Sequence, residues 1–287
     1  MYSQQINRRQ PALLMLLIDQ SASMNDRWAG LGQSKAQVLA DAVNETLHNA
    51  TLSCNKGGNR IYDYFEVGAF GYGADIRPVL AGTSVDTPAI PVSEFAQRPK
   101  RIEQRTSPTM NAAGHVVTGS RRLPIWIEPS ANGLTPMTQA FTVIEPILSS
   151  WCAVHRSSFP PIVINVTDGE STDGDPTAAA HRVRMTGTDD GPTLLFNVHL
   201  STMSQTTFAF PSTAVGLPDG FARLLFELSS ELPKEMLAAA AQVGYEVDPG
   251  ARGLLYNSGT KALFHFLDIG TRAVTPNGLR DLRALPS

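Results

Sequence analysis

The chain has 287 residues, 42% of them hydrophobic and 17% charged, and carries a formal net charge of −3. These are the proportions of a globular protein with a substantial core, and they exclude a disordered chain. The charge balance lacks the basic footprint of a nucleic-acid binder, and no apolar run approaches the ~20 residues of a membrane span.

The first ten residues are polar, with Arg8-Arg9 just ahead of an apolar run. Basic residues followed by an apolar stretch resemble a signal peptide, but this run is short and ends in Asp-Gln-Ser without a cleavage site. The expected location is therefore cytoplasmic. Cys54 and Cys152 agree with a reducing compartment and are expected to be free thiols. The Asn44, Asn49 and Asn165 sequons read as chance matches, Asn165 falling in an expected buried strand.

In chain order, Leu13–Ile18 is a continuous apolar run ending in Asp19-Gln20-Ser21-Ala22-Ser23. Such a run fits a strand buried on both faces of a parallel sheet. A helix is expected from about Ser34 to Thr51, with Ala36, Leu39, Val43, Leu47 and Ala50 lining its buried face. Tyr64–Phe70 and Ile76–Leu80 read as strands joined by a glycine-bearing turn, which makes one antiparallel edge strand. Residues 81–132 hold six prolines and a basic patch from Arg98 to Arg105. This segment is expected to be largely irregular, with a short helix at Ser93–Arg98 and short strands at His115–Thr118 and Ile125–Ile127. The basic patch reads as a solvated surface.

Thr135-Pro136 looks like a helix start, with Thr135 as N-cap and Pro136 in the first turn. Met137, Phe141, Ile144, Leu148 and Trp151 form the buried stripe, and Pro146 is expected to kink the helix or end its first half. Ile162–Val166 is another buried strand, ending in Thr167-Asp168-Gly169-Glu170. A helix at Ala178–Met185, a strand at Leu194–Leu200 and a polar loop at Ser201–Pro218 follow. The last elements are helices at Phe221–Leu228 and Leu232–Val243, a strand at Gly253–Tyr256, and an amphipathic helix at Thr260–Thr271. This alternation predicts an α/β fold: a doubly wound, mostly parallel central sheet with one antiparallel edge strand and helices on both faces. The chain reads as a single domain with its core at about 11–272, an elaborated insertion at 81–132 and a loose tail at 273–287.

In open α/β sheets ligands bind beyond the carboxyl ends of the strands. Asp19, Ser21 and Ser23 on one rim segment, Thr135 on a second and Asp168 on a third all offer oxygen. That donor set suits a hard divalent cation, Mg²⁺ or alternatively Mn²⁺ or Ca²⁺. Glu170, Thr172, Asp173 and Asp175 read as loop and rim residues, and His48, His155 and His199 as surface or core residues.

The order Asp-x-Ser-x-Ser, then Gly-x-Thr-Pro-Met, then Thr-Asp-Gly-Glu resembles the von Willebrand factor A family and its metal-ion-dependent adhesion site. The resemblance spans about Pro11 to Thr271, with the segment at 81–132 as a departure. Within the family, the chain looks most like intracellular bacterial members such as those associated with tellurite resistance. The resemblance implies a Rossmann-like fold, metal binding by Ser21, Ser23 and Thr135 with Asp19 and Asp168 direct or through water, and a partner's carboxylate completing the shell. The expected function is a divalent-metal-dependent protein-protein interaction module, a scaffold or adaptor, and not an enzyme. The alternative is a Mg²⁺-dependent phosphotransferase or phosphatase using Asp19 as nucleophile. Such enzymes usually carry a second carboxylate two residues on, where this chain has Ser21. No Gly-x-Ser-x-Gly elbow or phosphate-binding Gly-x-x-x-x-Gly-Lys loop is present.

Overall fold

A computed structural model describes residues 2–28, 32–55, 60–110, 116–200, 206–258 and 260–271. The elements begin with β1 (Ala12–Asp19), a 3₁₀ turn (Ala22–Asn25), α1 (Lys35–Ser53), β2 (Phe65–Tyr72), β3 (Ile76–Pro78), β4 (Ile90–Pro91) and α2 (Val92–Phe95). There follow β5 (Arg101–Met110), β6 (Val116–Ile125), α3 (Met137–Val154), β7 (Ile162–Thr167), α4 (Thr177–Met185), β8 (Gly187–Thr188) and β9 (Gly191–Pro192). The chain continues through β10 (Leu194–Leu200), β11 (Phe208–Ala209), α5 (Gly220–Leu228), α6 (Lys234–Gln242), β12 (Leu254–Ser258) and α7 (Thr260–Thr271).

The central sheet has the order β11-β12-β10-β7-β1-β2-β3, with β4 also on β2. Its inner pairs, β12-β10, β10-β7, β7-β1 and β1-β2, are all parallel. The expected mixed α/β architecture is therefore present, with one amendment at the edges. Antiparallel pairing closes both flanks, through β3 and β4 on one side and β11 on the other.

β1 shows why the core forms. All eight of its residues are buried, which a strand achieves only when both faces of the sheet are covered. Leu14, Leu16 and Ile18 join one core with residues of α1, α6 and α7. Leu13, Met15 and Leu17 point the other way, into a second core with residues of α3, α4 and α5. This is the period-two alternation of a strand, expressed as two hydrophobic layers. The stripe Met137, Phe141, Ile144, Leu148 and Trp151 is buried as expected, and α3 runs unbroken through Pro146.

The segment at 81–132 departs most from expectation. Instead of an irregular connection it contains a long antiparallel hairpin, β5 paired with β6 from Arg101↔Ile125 to Met110↔Val116. The short strand expected at His115–Thr118 falls in β6, with His115 itself outside the described residues, while of the one expected at Ile125–Ile127 only Ile125 is in a strand, as the last residue of β6. Apolar alternation could not reveal β5, because charges occupy its alternate positions. Arg105 donates to Asp41 of α1 at 2.7 Å, and Arg121 of β6 pairs with Glu45 at 2.8 Å. The expected basic patch is correspondingly a set of ion pairs: Arg98 with Glu94, Lys100 with Glu128, and Arg101 with Glu103 and Glu128.

Buried Asn44 ties the return from this hairpin to α1. Its side-chain oxygen accepts from the N–H groups of Trp126 and Ile127 at 2.8 and 3.0 Å, and its amide donates to the Ile127 carbonyl at 2.8 Å. Cys54 and Cys152 are both buried. Among the described residues, no helix is long and apolar enough to cross a membrane. The tail at 273–287 lies outside the described residues.

An Asn44→Leu variant keeps the forked outline of the side chain but strands two N–H donors and a carbonyl in the core. It is expected to lower stability by about 2–4 kcal/mol. Chemical unfolding of the two proteins, compared at constant m-value, measures this.

Candidate functional site at the carboxyl rim of the sheet

Backbone pairing brings the rim segments together. The Gln20 N–H donates to the Tyr72 carbonyl at 2.7 Å, the Asn132 N–H to Gln20 at 2.6 Å, and the Ala22 N–H to Gly133 at 3.0 Å. The approach is tight enough to require glycine. Gly133 has φ +92°, and a Cβ there would lie 2.3 Å from the Ala74 nitrogen. The third segment is clasped to the second: the Thr135 N–H donates to the Thr172 hydroxyl at 3.0 Å, and the Thr172 N–H returns to the Thr135 carbonyl at 2.9 Å.

Four of the five expected site residues, Asp19, Ser21, Ser23 and Asp168, converge directly. The Ser21 and Ser23 hydroxyls are 3.0 Å apart, and the Ser23 hydroxyl donates to Asp168 Oδ1 at 2.7 Å. Asp19 accepts from the Ser21 N–H at 2.8 Å and from the Thr167 hydroxyl at 2.7 Å. Thr135, the fifth, stands on the segment between them. It is buried, and its hydroxyl makes no hydrogen bond among the described residues.

Thr135 is not the helix cap. α3 begins at Met137, and Pro136 in the cap position offers no side-chain bond. The Asp173 carboxylate does this work from the neighbouring loop, accepting from the N–H groups of Thr138 at 3.0 Å and Gln139 at 2.8 Å. Satisfying two orphan N–H groups this way leaves the Thr135 hydroxyl uncommitted. Burial pushes the Asp173 carboxyl up, but hydrogen bonds from Ser171, Gln139 and Thr138 outweigh it and hold the group below its ordinary value.

Three neighbours were not read as part of the site. Thr167 supplies the hydroxyl that orients Asp19. Lys35, only 4% exposed, places its ammonium 2.6 Å from Asp168 Oδ2 and 3.5 Å from the Ser23 carbonyl. Lysine is almost never this buried without a partner, so its place at the start of an amphipathic helix was the available clue. His199, at the end of β10, stacks on Tyr256 at 4.2 Å and accepts from the Asn257 N–H at 3.4 Å. Burial pushes its imidazole down to about 4, against the Asp168 charge, which acts the other way. At neutral pH it is therefore uncharged.

Asp19 has the opposite problem. Burial pushes its carboxyl up to about 6, beyond what its hydrogen bonds from Ser21 and Thr167 bring down, and the Asp168 charge adds to the rise. An all-oxygen donor set, with two carboxylates, two hydroxyls in contact and a third uncommitted, fits a hard divalent ion. Among the described residues no three His, Cys, Asp or Glu side chains gather as a metal-binding group, so any such site depends on hydroxyl ligands.

No family model matches the chain, and no curated protein matches it. Among solved structures, it resembles proximal thread matrix protein 1 from the mussel byssus at 14% identity and TM-score 0.48, covering 92% of this chain and 48% of that one. The pilus adhesin SpaC from Lactobacillus rhamnosus GG gives 14% identity and TM-score 0.47, with 93% and 31% covered. The PilB minor pilin from Streptococcus sanguinis gives 9% identity and TM-score 0.40, with 96% and 64% covered. The chain thus spans about half or less of the first two. The expected membership of the von Willebrand factor A family is corrected here: no family model supports it. The named adhesion site and the tellurite-resistance association, which rested on that membership, are withdrawn with it.

Asp19→Asn separates charge from hydrogen bonding. An amide can still accept from the Ser21 N–H and can donate to Thr167, whose hydroxyl then turns to the Gly169 carbonyl 2.9 Å away. With a folded-state value near 6 against an ordinary 3.8, the Asp19 contribution to stability is full below about pH 4 and lost as pH rises through 6. In chelator, the variant is therefore expected to exceed wild type by roughly 1–3 kcal/mol at pH 8. The difference should vanish near pH 4. Denaturant unfolding across this pH range checks both ends.

Proposed function

We propose that Asp19, Ser21, Ser23, Thr135 and Asp168 hold a hard divalent cation, Mg²⁺ or in its place Mn²⁺ or Ca²⁺, at the carboxyl rim. On this reading the chain is a cation-dependent protein-binding module, a scaffold or adaptor whose partner supplies a carboxylate to the metal. The observation that supports it most is the convergence of separate chain segments on one all-oxygen cluster, with the Ser21 and Ser23 hydroxyls in contact and Asp168 bonded to Ser23. Hydroxyl ligands leave much of a divalent charge unneutralised, which favours an anionic ligand from outside. Leu134, beside Thr135 and 68% exposed, adds an apolar contact at the same rim. The two buried thiols, Cys54 and Cys152, suit a reducing, cytoplasmic location.

The alternative, Asp19 as a phosphoryl-accepting nucleophile, fits less well. Asp19 is fully buried, and both of its oxygens already accept hydrogen bonds, from the Ser21 N–H and the Thr167 hydroxyl. A nucleophile needs an oxygen open to in-line approach.

A pull-down with wild type and Asp19→Asn, each with Mg²⁺ and with chelator, tests the function. A partner held only by wild type with Mg²⁺ is the expected result. A partner held equally in all four conditions would place binding on another surface and overturn the reading.

A further inference from the structure

Lys35 is out of place by ordinary helix electrostatics. It is the first residue of α1, at the positive pole of the helix, where a cation is disfavoured. Its backbone is nonetheless fixed there by two interactions. The Lys35 N–H donates to the Asp26 carbonyl at 3.0 Å, and the preceding Ser34 caps the helix by accepting from the Gln37 N–H at 3.2 Å. From that anchor the side chain runs to the rim cluster, where its ammonium meets Asp168 Oδ2 at 2.6 Å and the Ser23 carbonyl at 3.5 Å. The Asp168 side chain has no exposed surface, so this ion pair is formed out of water. Removing one partner of such a pair leaves an uncompensated buried charge.

The two oxygens of Asp168 are thus divided. Oδ1 accepts from Ser23, a proposed metal ligand, while Oδ2 accepts from the ammonium of Lys35. The other carboxylate nearby, Asp19, has no cationic partner of its own among the described residues. Two carboxylates with one ammonium leave the cluster short of positive charge, yet a cation already stands on the carboxylate that a divalent ion would use.

We propose that Lys35 is the resident cation of the rim site, a tethered ammonium with which a divalent ion must compete for Asp168. This deepens the function proposed above and rests on it. Lys35 holds Asp168 in place when no metal is bound, and it lowers the affinity for metal through like-charge repulsion. When metal is bound, the additional positive charge leaves the site more attractive to a partner's carboxylate.

The test titrates Mn²⁺ alone into the full chain, followed by calorimetry, for wild type, Lys35→Met, Lys35→Gln, Lys35→Arg and Asp19→Asn. The Met and Gln variants should bind Mn²⁺ at least tenfold more tightly than wild type, and the Arg variant no more tightly. Equal or weaker binding by the Met and Gln variants would overturn the role of Lys35. If binding is at the same time lost in Asp19→Asn, the cation site itself stands. Binding by the Met and Gln variants but not by wild type would uphold Lys35 as resident cation while removing metal from the function of the native chain. No binding by any folded variant at millimolar Mn²⁺ would overturn both proposals. If the Met and Gln variants unfold in chelator, circular dichroism with added Mn²⁺ decides: recovery of the fold supports the competition, and failure to recover contradicts it.

Discussion

The structure depends on placing carboxylates at the end of a strand that has no contact with water. β1 is buried along its whole length, and Asp19, its last residue, is as inaccessible as the leucines before it. Burial disfavours the ionised carboxylate, and a second carboxylate, Asp168, stands nearby on the end of β7. The surrounding residues answer that difficulty in order. The Ser21 N–H and the Thr167 hydroxyl satisfy Asp19, Ser23 satisfies one oxygen of Asp168, and Lys35 brings an ammonium to the other. The site is an electrostatic solution to a problem that the parallel sheet creates.

The parallel core also carries a buried polar seam. Tyr72 donates to Asn165 at 2.8 Å, Asn165 to Asn197 at 3.0 Å, and Asn197 to Ser229 at 3.0 Å, crossing from β2 through β7 and β10 to the end of α5. The Ser229 hydroxyl closes the series on the Leu225 carbonyl at 2.7 Å. Every side-chain N and O atom fully shut off from solvent among the described residues has a partner. A seam satisfied at every step specifies register as well as stability, because a strand slip would strand several donors at once. Tyr72 lies next to the rim, and its phenol is raised well above the ordinary range by burial and then by the charge of Asp19.

Much of the fold was legible because its elements announce themselves by period. Leu194–Leu200 and Thr260–Thr271 match expectation at both ends, one a continuous apolar run and the other a helical stripe of Leu263, Phe266, Leu267 and Ile269. The β5-β6 hairpin was illegible because its informative residues are Arg101, Glu103 and Arg105, which pair with one another along β5, with Asp41 on α1 and with Glu128 beyond β6. Of the site, the residues adjacent to strand ends could be read, since position at the rim and oxygen chemistry are local properties. Lys35 could not, because its meaning comes from Asp168, a residue remote in sequence. The cap of α3 failed for the same reason. Thr135-Pro136 has the local signature of a helix start, yet Asp173 from another loop supplies the bonds. The family resemblance failed differently: short motifs in the right order were not matched by any family model of the whole chain.

The most direct test of the central claim is a crystal structure grown with Mn²⁺ and examined by anomalous diffraction at the manganese edge. The account predicts one anomalous peak at the rim among Asp19, Ser21, Ser23, Thr135 and Asp168, with the Lys35 ammonium withdrawn from Asp168. Crystals at saturating Mn²⁺ with no peak there, and with Lys35 still paired to Asp168, would contradict it. The cluster would then be a metal-free ion pair that serves the fold alone.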